Sequence, residues 1–134
     1  MKKVGMINGE ISSVISRMGH LDMLTIADAG LPVPSHVPRI DLALKPGTPG
    51  FLETLEVILG DLFVERAYLS KEILDISPAV YTSIKALLPD VELVLLPHGE
   101  FKALTGSTKA IVRTAEYTPY SNIILASGAW GFKQ

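Results

Sequence analysis

The chain contains no cysteine, and this absence excludes several kinds of chemistry at once. Disulfide bonds, thiolate nucleophiles and zinc sites built on sulfur all require that side chain. An excess of one charge is also missing, because 12 basic and 14 acidic residues leave a net charge of -2. A surface so balanced lacks the electrostatic footprint that attracts nucleic acid or acidic membranes. We therefore expect neither of these as a partner.

Long apolar runs and common nucleotide-binding motifs are absent as well. No stretch approaches the roughly 20 apolar residues that a membrane-spanning helix needs. The segment Met1–Glu10 has no apolar run of the kind found in a signal peptide. The segment 46–50 lacks the lysine and the length of a phosphate-binding loop, and no strand is followed by Gly-x-Gly-x-x-Gly or Gly-x-Ser-x-Gly. We expect a cytoplasmic protein without these nucleotide or hydrolase sites.

Apolar residues, by contrast, are abundant. They make up 48% of the 134 residues, against 19% charged residues, which argues against disorder. This length suits one domain with a substantial core. The mean hydropathy of +0.34 is high for a small domain. It suggests that some apolar surface is buried between subunits.

Strand and helix patterns alternate along the chain, and this alternation predicts one α/β domain, 1–134, with a largely parallel sheet flanked by helices. Asn8 has the character of a helix N-cap and Gly19 that of the residue after the same helix. A second helix is expected to begin with Thr48 as N-cap and Pro49 at its first position. The apolar run Val91–Leu96 is typical of a strand covered on both faces.

The residues that suggest chemistry follow predicted strands. Asp28 ends the strand 24–27 and His98 follows the strand 91–96, so parallel strands would place both at the same edge of the sheet. His20, after the first helix, could join them, and histidine is a common general acid or base in enzymes. Lys102 would share a helical face with His98. The segment Tyr120, Ser121 and Asn122 supplies mixed donors and acceptors that suit a polyhydroxylated ligand.

Each of these residues also has an ordinary structural interpretation. Asp28 could cap a turn, His98 could be a satisfied loop histidine, and Lys102 alone could be a surface charge. The segment 120–122 could be a plain turn. Two histidines and one carboxylate, His20, His98 and Asp28, could instead bind a metal ion if they converge. The residue types alone leave these alternatives open.

The sequence resembles the D-ribose pyranases, a family related to the L-fucose mutarotases. The matching segments fall in the family's order and span nearly the whole chain. They are 19–20, 26–34, 39–42, 98–102 and 113–122. Departures are few: Gly99 stands where an acidic residue is common, and the ending 127–132 is less typical. Neither departure touches the residues singled out above.

The resemblance implies a cytoplasmic isomerase that interconverts the pyranose and furanose forms of D-ribose without a cofactor or metal. It also implies a homo-oligomer, a decamer of two stacked pentameric rings, with sites between subunits. It gives His20 the role of proton donor and Asp28, His98 and the segment 120–122 the role of binding sugar. Lys102 matches a further contact of the family.

Acid–base chemistry at such a site fits ring opening. A cyclic hemiacetal opens when its ring oxygen gains a proton and its anomeric hydroxyl loses one, and a histidine can serve in either role. Two other functions use the same residues. A non-catalytic sugar-binding module serving ribose uptake or regulation would need the polar pocket but no titrating His20, and a metal-dependent enzyme would lose activity with a chelator.

Overall fold

The computed structural model describes residues 1–130, and 131–134, the end of the predicted domain, lie outside the described residues. The helices are α1 Gly9–Arg17, α2 Phe51–Leu59, α3 Ile73–Ile76, α4 Pro78–Leu87 and α5 His98–Thr105. The strands are β1 Met23–Ala27, β2 Arg39–Asp41, β3 Val64–Ser70, β4 Glu92–Leu96, β5 Ile111–Arg113 and β6 Ile123–Ser127. Within residues 1–130, each helix is too short or too polar to cross a bilayer.

The strands form one mixed sheet in the order β2-β5-β1-β6-β3-β4. Three neighbouring pairs, β2–β5, β5–β1 and β3–β4, are parallel, which confirms the largely parallel α/β fold. The exception is β6, which runs antiparallel to both β1 and β3. The start of β6 therefore lies where β1 and β3 finish. We name that edge the carboxyl end of the sheet and the opposite edge the amino end.

Alternating side chains of the strands build a core on each face of the sheet. In β6, Ile123 and Leu125 point into the larger core, whereas Ile124 points into the smaller one. The larger core also receives apolar residues of α1, α2 and α4, and the smaller core receives Phe101 of α5. Burial of such side chains from two sides explains why all five residues of β6 are buried.

Local signals set the ends of several helices. Asn8 caps α1, because its Oδ1 accepts the N–H of Ile11 at 2.9 Å. Met18 is the C-cap, and Gly19 follows it, as the sequence predicts. Pro78 opens α4, where the missing N–H of proline costs no helical hydrogen bond. These ends fix where the chain leaves α1 for the turn that carries His20.

The predicted start of α2 at Thr48 and Pro49 is wrong, because the helix begins at Phe51 with Gly50 as its N-cap. Thr48 instead closes a tight turn, in which its N–H donates to the carbonyl of Lys45 at 2.9 Å. Gly47 supplies the positive φ of +83° in that turn. The carbonyl of Pro49 accepts the N–H of Ala115 at 2.9 Å. The turn at 45–48 and the hydrogen bond of Pro49 to Ala115 therefore keep residues 48 and 49 outside the helix.

The run Val91–Leu96 contacts both faces of the sheet, as expected, because Leu93 and Leu95 pack against the larger core and Leu96 against the smaller one. The strand β4, within this run, is the outermost strand beside β3, and its apolar residues are half-buried. An outer strand has a sheet neighbour on one side only, so part of each side chain stays accessible. The fully covered strand is β6 in the middle of the sheet.

Glu116 caps α2 from a distant part of the chain. Its Oε1 accepts the N–H of Phe51 at 3.0 Å, and its Oε2 accepts the hydroxyl of Thr118 at 2.9 Å. Burial by itself would raise the pKa of Glu116, but the hydrogen bonds outweigh it and lower the pKa below its usual value. A carboxylate at a helix N-terminus also interacts favourably with the helix dipole. Glu116 thus stabilises the fold.

Replacing Glu116 with alanine should lower the free energy of unfolding by about 0.5–2 kcal/mol at neutral pH, the usual loss for a helix cap. A lowered folded-state pKa means that this stability is present above the ordinary value of 4.5 and is lost as pH falls through the folded value. Thermal unfolding at fixed protein concentration, from neutral pH to about pH 3, checks this. Glu56→Ala, an exposed change on α2, is the control. A difference that persists in acid would contradict the prediction.

Candidate active site

Polar side chains from three parts of the chain meet at the carboxyl end of the sheet. They line an open pocket of about 330 Å³. The sequence-predicted residues that line it are Asp28, His98, Lys102, Tyr120 and Asn122, and Gly30, Leu31, Pro32 and Pro119 complete the wall. Asp28 and His98 lie at the same edge because β1 and β4 point the same way in the sheet.

Asp28 and Asn122 form a reciprocal pair across β1 and β6. The backbone N–H of Asp28 donates to Oδ1 of Asn122 at 2.8 Å, and Nδ2 of Asn122 donates to Oδ2 of Asp28 at 3.1 Å. The other carboxylate oxygen, Oδ1, accepts the N–H groups of Gly30 and Leu31 at 3.0 and 2.9 Å. Every donor faces an acceptor, so the orientation of both side chains is fixed.

The pocket holds the Asp28 carboxylate partly away from water. Burial raises the pKa of Asp28, and the hydrogen bonds from Gly30, Asn122 and Leu31 and the charge of His98 counter only part of that rise. A raised pKa means that ionised Asp28 costs stability in the folded chain, a cost absent below the ordinary pKa. Carboxylate oxygens accept hydrogen bonds from hydroxyl groups. Asp28 is therefore suited to binding a hydroxylated ligand.

The backbone of Tyr120 takes a conformation that is unfavourable for most residues. Its φ is +62°, in the left-handed region, which costs a non-glycine residue about 1–2 kcal/mol. The hydroxyl of Ser77 donates to the carbonyl of Pro119 at 2.6 Å, and the N–H of Asn122 donates to the carbonyl of Tyr120 at 2.9 Å. These bonds hold the turn that places Tyr120 and Asn122 in the pocket wall.

His98 is held from three sides at the first residue of α5. Its N–H donates to the Glu72 carboxylate at 3.0 and 3.2 Å, and a hydrogen bond of 2.7 Å joins its Nδ1 to the hydroxyl of Ser70. The ring stacks on Phe101 with centroids 6.2 Å apart and meets the Tyr120 ring edge-on at 5.0 Å. The nitrogen left available to a ligand is Nε2. Lys102, one helical turn later, adds an ammonium donor.

His20 does not join this pocket within one chain. It lies at the amino end, in a turn where the N–H of Leu21 donates to the carbonyl of Ser127 at 2.9 Å. Ser127 ends β6, whereas Asn122 precedes it, so the length of β6 separates the two places by about 17 Å. His20 Nε2 instead donates a hydrogen bond to Oε1 of Glu65, near the start of β3.

The side chain of Ser121 is also outside the pocket wall. Ser121 is fully buried, and its Oγ has no hydrogen-bond partner among residues 1–130. Its two neighbours in sequence, Tyr120 and Asn122, do line the pocket. The alternation of side chains as the chain enters β6 explains this difference.

Sequence reasoning missed three polar side chains that hold the predicted ones. Ser70 ends β3, Glu72 follows it, and both fix His98, whereas Glu65 faces His20. Ser70 and Glu72 are placed by the strand-end pattern that indicated Asp28, whereas Glu65 has no local signal. Within residues 1–130, no three or more histidine and carboxylate side chains cluster as a metal site would require. The possible metal set of His20, His98 and Asp28 is divided between the two ends of the sheet.

The fold and the pocket define a class: a small α/β domain with an open site for a hydroxylated ligand, built from one carboxylate, one amide, one imidazole and one ammonium group. The family model described as the RbsD / FucU transport protein family matches residues 1–130. The chain belongs to that family.

Individual relatives agree with this membership. The chain is 51% identical to the D-ribose pyranase of Clostridium perfringens over 128 residues, which cover 96% of this chain and 98% of that protein. The structure of Bacillus subtilis RbsD complexed with D-ribose is 42% identical, with a TM-score of 0.93, over 96% of this chain and 98% of that one. The fucose mutarotase of Streptococcus pneumoniae, in complex with L-fucose, shares the fold at 22% identity and a TM-score of 0.80. That likeness covers 92% of this chain and 94% of the other.

The reciprocal pair of Asp28 and Asn122 predicts that two substitutions, each destabilising alone, compensate for each other when combined. Asp28→Asn would place two amide donors face to face, and Asn122→Asp would place two carboxylate oxygens face to face, so each change should cost about 1–3 kcal/mol. The double change Asp28→Asn with Asn122→Asp restores one donor for each acceptor and should recover most of the loss. Denaturant unfolding of the three variants measures this cycle. Additive losses in the double variant would contradict the reciprocal pairing.

Proposed function

We propose that this chain is an isomerase of sugar rings, a D-ribose pyranase that interconverts the pyranose and furanose forms of ribose without a cofactor. The observation that carries the proposal is the pocket at the carboxyl end of the sheet, in a chain 51% identical to a protein named D-ribose pyranase. A related structure, Bacillus subtilis RbsD, holds D-ribose. The proposal includes a cytoplasmic location, as the sequence resemblance implies.

The pocket residues suit the binding part of this reaction. The Asp28 carboxylate accepts from sugar hydroxyls, and Lys102 and Asn122 offer donors. His98 presents Nε2, because Ser70 engages the other ring nitrogen. During ring opening, a proton goes to the ring oxygen as its bond to the anomeric carbon breaks, and the anomeric hydroxyl loses a proton to give the open aldehyde. Closure through a different hydroxyl then yields the other ring form.

We assign proton transfer to His20, and its position requires a second copy of the chain. His20 lies about 17 Å from the pocket of its own chain, too far for a hydrogen bond to a sugar bound there. In the proposed assembly, the amino end of one copy covers the carboxyl end of the next. The His20 side chain of one subunit then completes the binding pocket of its neighbour.

Exposed apolar side chains at both ends of the sheet support such a contact. At the amino end, Leu21 follows His20, and Phe63 meets Trp130 edge-on with centroids 5.8 Å apart, all three exposed. Near the carboxyl end, α3 exposes Leu74 and Ile76. Apolar groups left in water at two different surfaces favour an interface that buries both. Burial of these side chains between subunits would account for the high mean hydropathy of the chain.

A contact between two different surfaces has a consequence for symmetry. Such a heterologous interface repeats from copy to copy and closes into a ring when the rotation allows. The pentameric rings and their stacking into a decamer, which the resemblance implies, therefore form part of this proposal. Light scattering at micromolar concentration tests it, and a monomer would contradict it.

The roles proposed for His20 and Asp28 predict that one substitution mainly lowers the exchange rate and the other mainly weakens ribose binding. His20→Ala should slow ribose ring exchange by ~10²-fold or more while most of the ribose affinity remains, because the lost interaction belongs to the transition state. Asp28→Asn should weaken ribose binding at least about tenfold, since hydrogen bonds to a charged group are worth roughly 1.5–3 kcal/mol. Saturation-transfer NMR measures exchange, and calorimetry measures affinity.

The same NMR measurement separates the enzyme from its alternative. A non-catalytic sugar-binding module would bind ribose without faster exchange between ring forms, and that result in the wild-type protein would overturn the proposed activity. If instead His20→Ala exchanges ribose at the wild-type rate, the assignment of the proton donor is wrong. His98 is then the next candidate.

Mixed assemblies test whether the site is shared between chains. Co-expressed His20→Ala and His98→Ala chains should regain about a quarter of the wild-type rate, because one interface in four pairs an intact His20 with an intact His98. Either variant alone should remain slow. The matched control mixes His20→Ala with the double variant His20→Ala/His98→Ala, in which no interface has an intact His20. Equal rates in both mixtures would contradict a shared site.

A further inference from the structure

A carboxylate faces the imidazole of His20 at the amino end of the sheet. Nε2 of His20 donates a hydrogen bond to Oε1 of Glu65, 45 residues away in sequence. The Glu65 side chain is 17% exposed and that of His20 is 51% exposed, so the acid is mostly covered while the imidazole stays accessible. By contrast, Arg66 and Glu92 form an ordinary surface pair with both side chains well exposed. Glu65 is therefore held in place rather than free in solvent.

An irregularity in the sheet orients Glu65. Val64 pairs with Ser127 and Arg66 pairs with Ala126, which are adjacent in β6, so Glu65 is an extra residue without an opposite partner. Such a β-bulge changes the direction of a side chain relative to the regular alternation of the strand. Bulges are frequent beside active sites for this reason. The bulge here turns a carboxylate toward His20.

The turn that carries His20 is fixed independently of Glu65. The N–H of Asp22 donates to the carbonyl of Gly19 at 3.1 Å, which closes a β-turn around His20 and Leu21. The N–H of Gly19 donates to Oδ2 of Asp22 at 2.8 Å, and Leu21 takes a φ of +70°. A left-handed φ at a residue other than glycine persists only where surrounding contacts impose it. The backbone of His20 is thus rigidly placed.

Ser127 connects the turn to the bulge. Its carbonyl accepts the N–H of Leu21 at 2.9 Å, its hydroxyl donates to the carbonyl of Gly19, and it pairs with Val64 beside the bulge. One residue of β6 therefore anchors both the histidine and the strand that carries its carboxylate. The two side chains meet because of this shared anchor, although they belong to segments far apart in sequence.

We propose that Glu65 is a positioning residue for His20. Its carboxylate accepts from Nε2–H, which holds the ring in one orientation and one tautomer and leaves Nδ1 as the nitrogen that exchanges a proton with the sugar. The nitrogen that carries the proton in a histidine is set by the hydrogen bond that it makes. This inference rests on the proposed role of His20 in ring opening. Glu65 itself does not touch the sugar.

Two substitutions of similar size separate hydrogen bonding from packing. Glu65→Gln keeps an acceptor for Nε2–H, whereas Glu65→Leu fills the same space without one. We expect Glu65→Leu to slow ribose exchange by about 10- to 100-fold, because misplacing a reacting group by about 1 Å costs up to that much. Glu65→Gln should keep most of the rate. Ribose affinity and oligomer size should match the wild type in both variants.

The matched controls are Glu92→Gln and Glu92→Leu on the neighbouring strand, which should leave the rate unchanged because Glu92 pairs with Arg66 at the surface. A spectroscopic signature completes the test. Nitrogen chemical shifts of the neutral His20 ring should show the proton on Nε2 in the wild type and in Glu65→Gln. In Glu65→Leu they should show a mixture of tautomers.

Several results would overturn the inference. They are a proton on Nδ1 in the wild type, an unchanged tautomer in Glu65→Leu, or equal exchange rates in the Leu and Gln variants. If Glu65→Leu does not assemble, Glu65→Ala replaces it under the same criteria. A normal rate in Glu65→Leu together with a slow His20→Ala would reject Glu65 and leave the proposed function intact. A normal rate in His20→Ala would reject the proposed role of His20, and the ring tautomer would then decide alone whether Glu65 fixes the imidazole.

Discussion

The antiparallel pairing of β6 between β1 and β3 is the constraint on which both ends of the sheet depend. Because Ile123 lies opposite Ile26, Asn122 reaches Asp28 at the carboxyl end. Because Ala126 lies opposite Met23, the next residue, Ser127, reaches the turn of His20 at the amino end. A slip of one residue would move each buried side chain of β6 to the other face of the sheet. The two buried cores therefore fix the register that the polar contacts need.

Short-range patterns predicted most of the fold, since they act within a few residues. Asn8 marks the start of a helix by its own side chain, and the structure has α1 beginning directly after it. The start of α2 was not predictable in this way, because the carboxylate that accepts the N–H of its first residue, Phe51, belongs to Glu116, 65 residues away. The direction of β6 was hidden as well, since an apolar strand has the same composition in either direction.

The same difference between short-range and long-range interactions decides which residues of the candidate site the sequence could predict. Asp28 and His98 were found because each directly follows a strand, and the structure places both in one pocket. Tyr120 and Asn122 lie there only because β6 is antiparallel; a parallel β6 would have carried them to the other end. Glu65 could not be found, since in the sequence it is one charged residue in a strand and its partner is 45 residues away. Glu116 acts on α2 instead of the pocket, through its hydrogen bond to Phe51.

Because His20 and the pocket lie at opposite ends of one sheet, the number of complete sites in the proposed assembly depends on how the copies are joined. Under the proposed contact, every chain would carry two unlike half-sites, and each half would be useful only against the other half on a neighbour. An open row of copies would always leave one unmatched half at each terminus, so it would hold one complete site fewer than it has chains. A closed ring has no terminus, and each chain then serves two sites. Natural selection for turnover would in that case also favour closure of the ring, although no residue at the point of closure differs from any other.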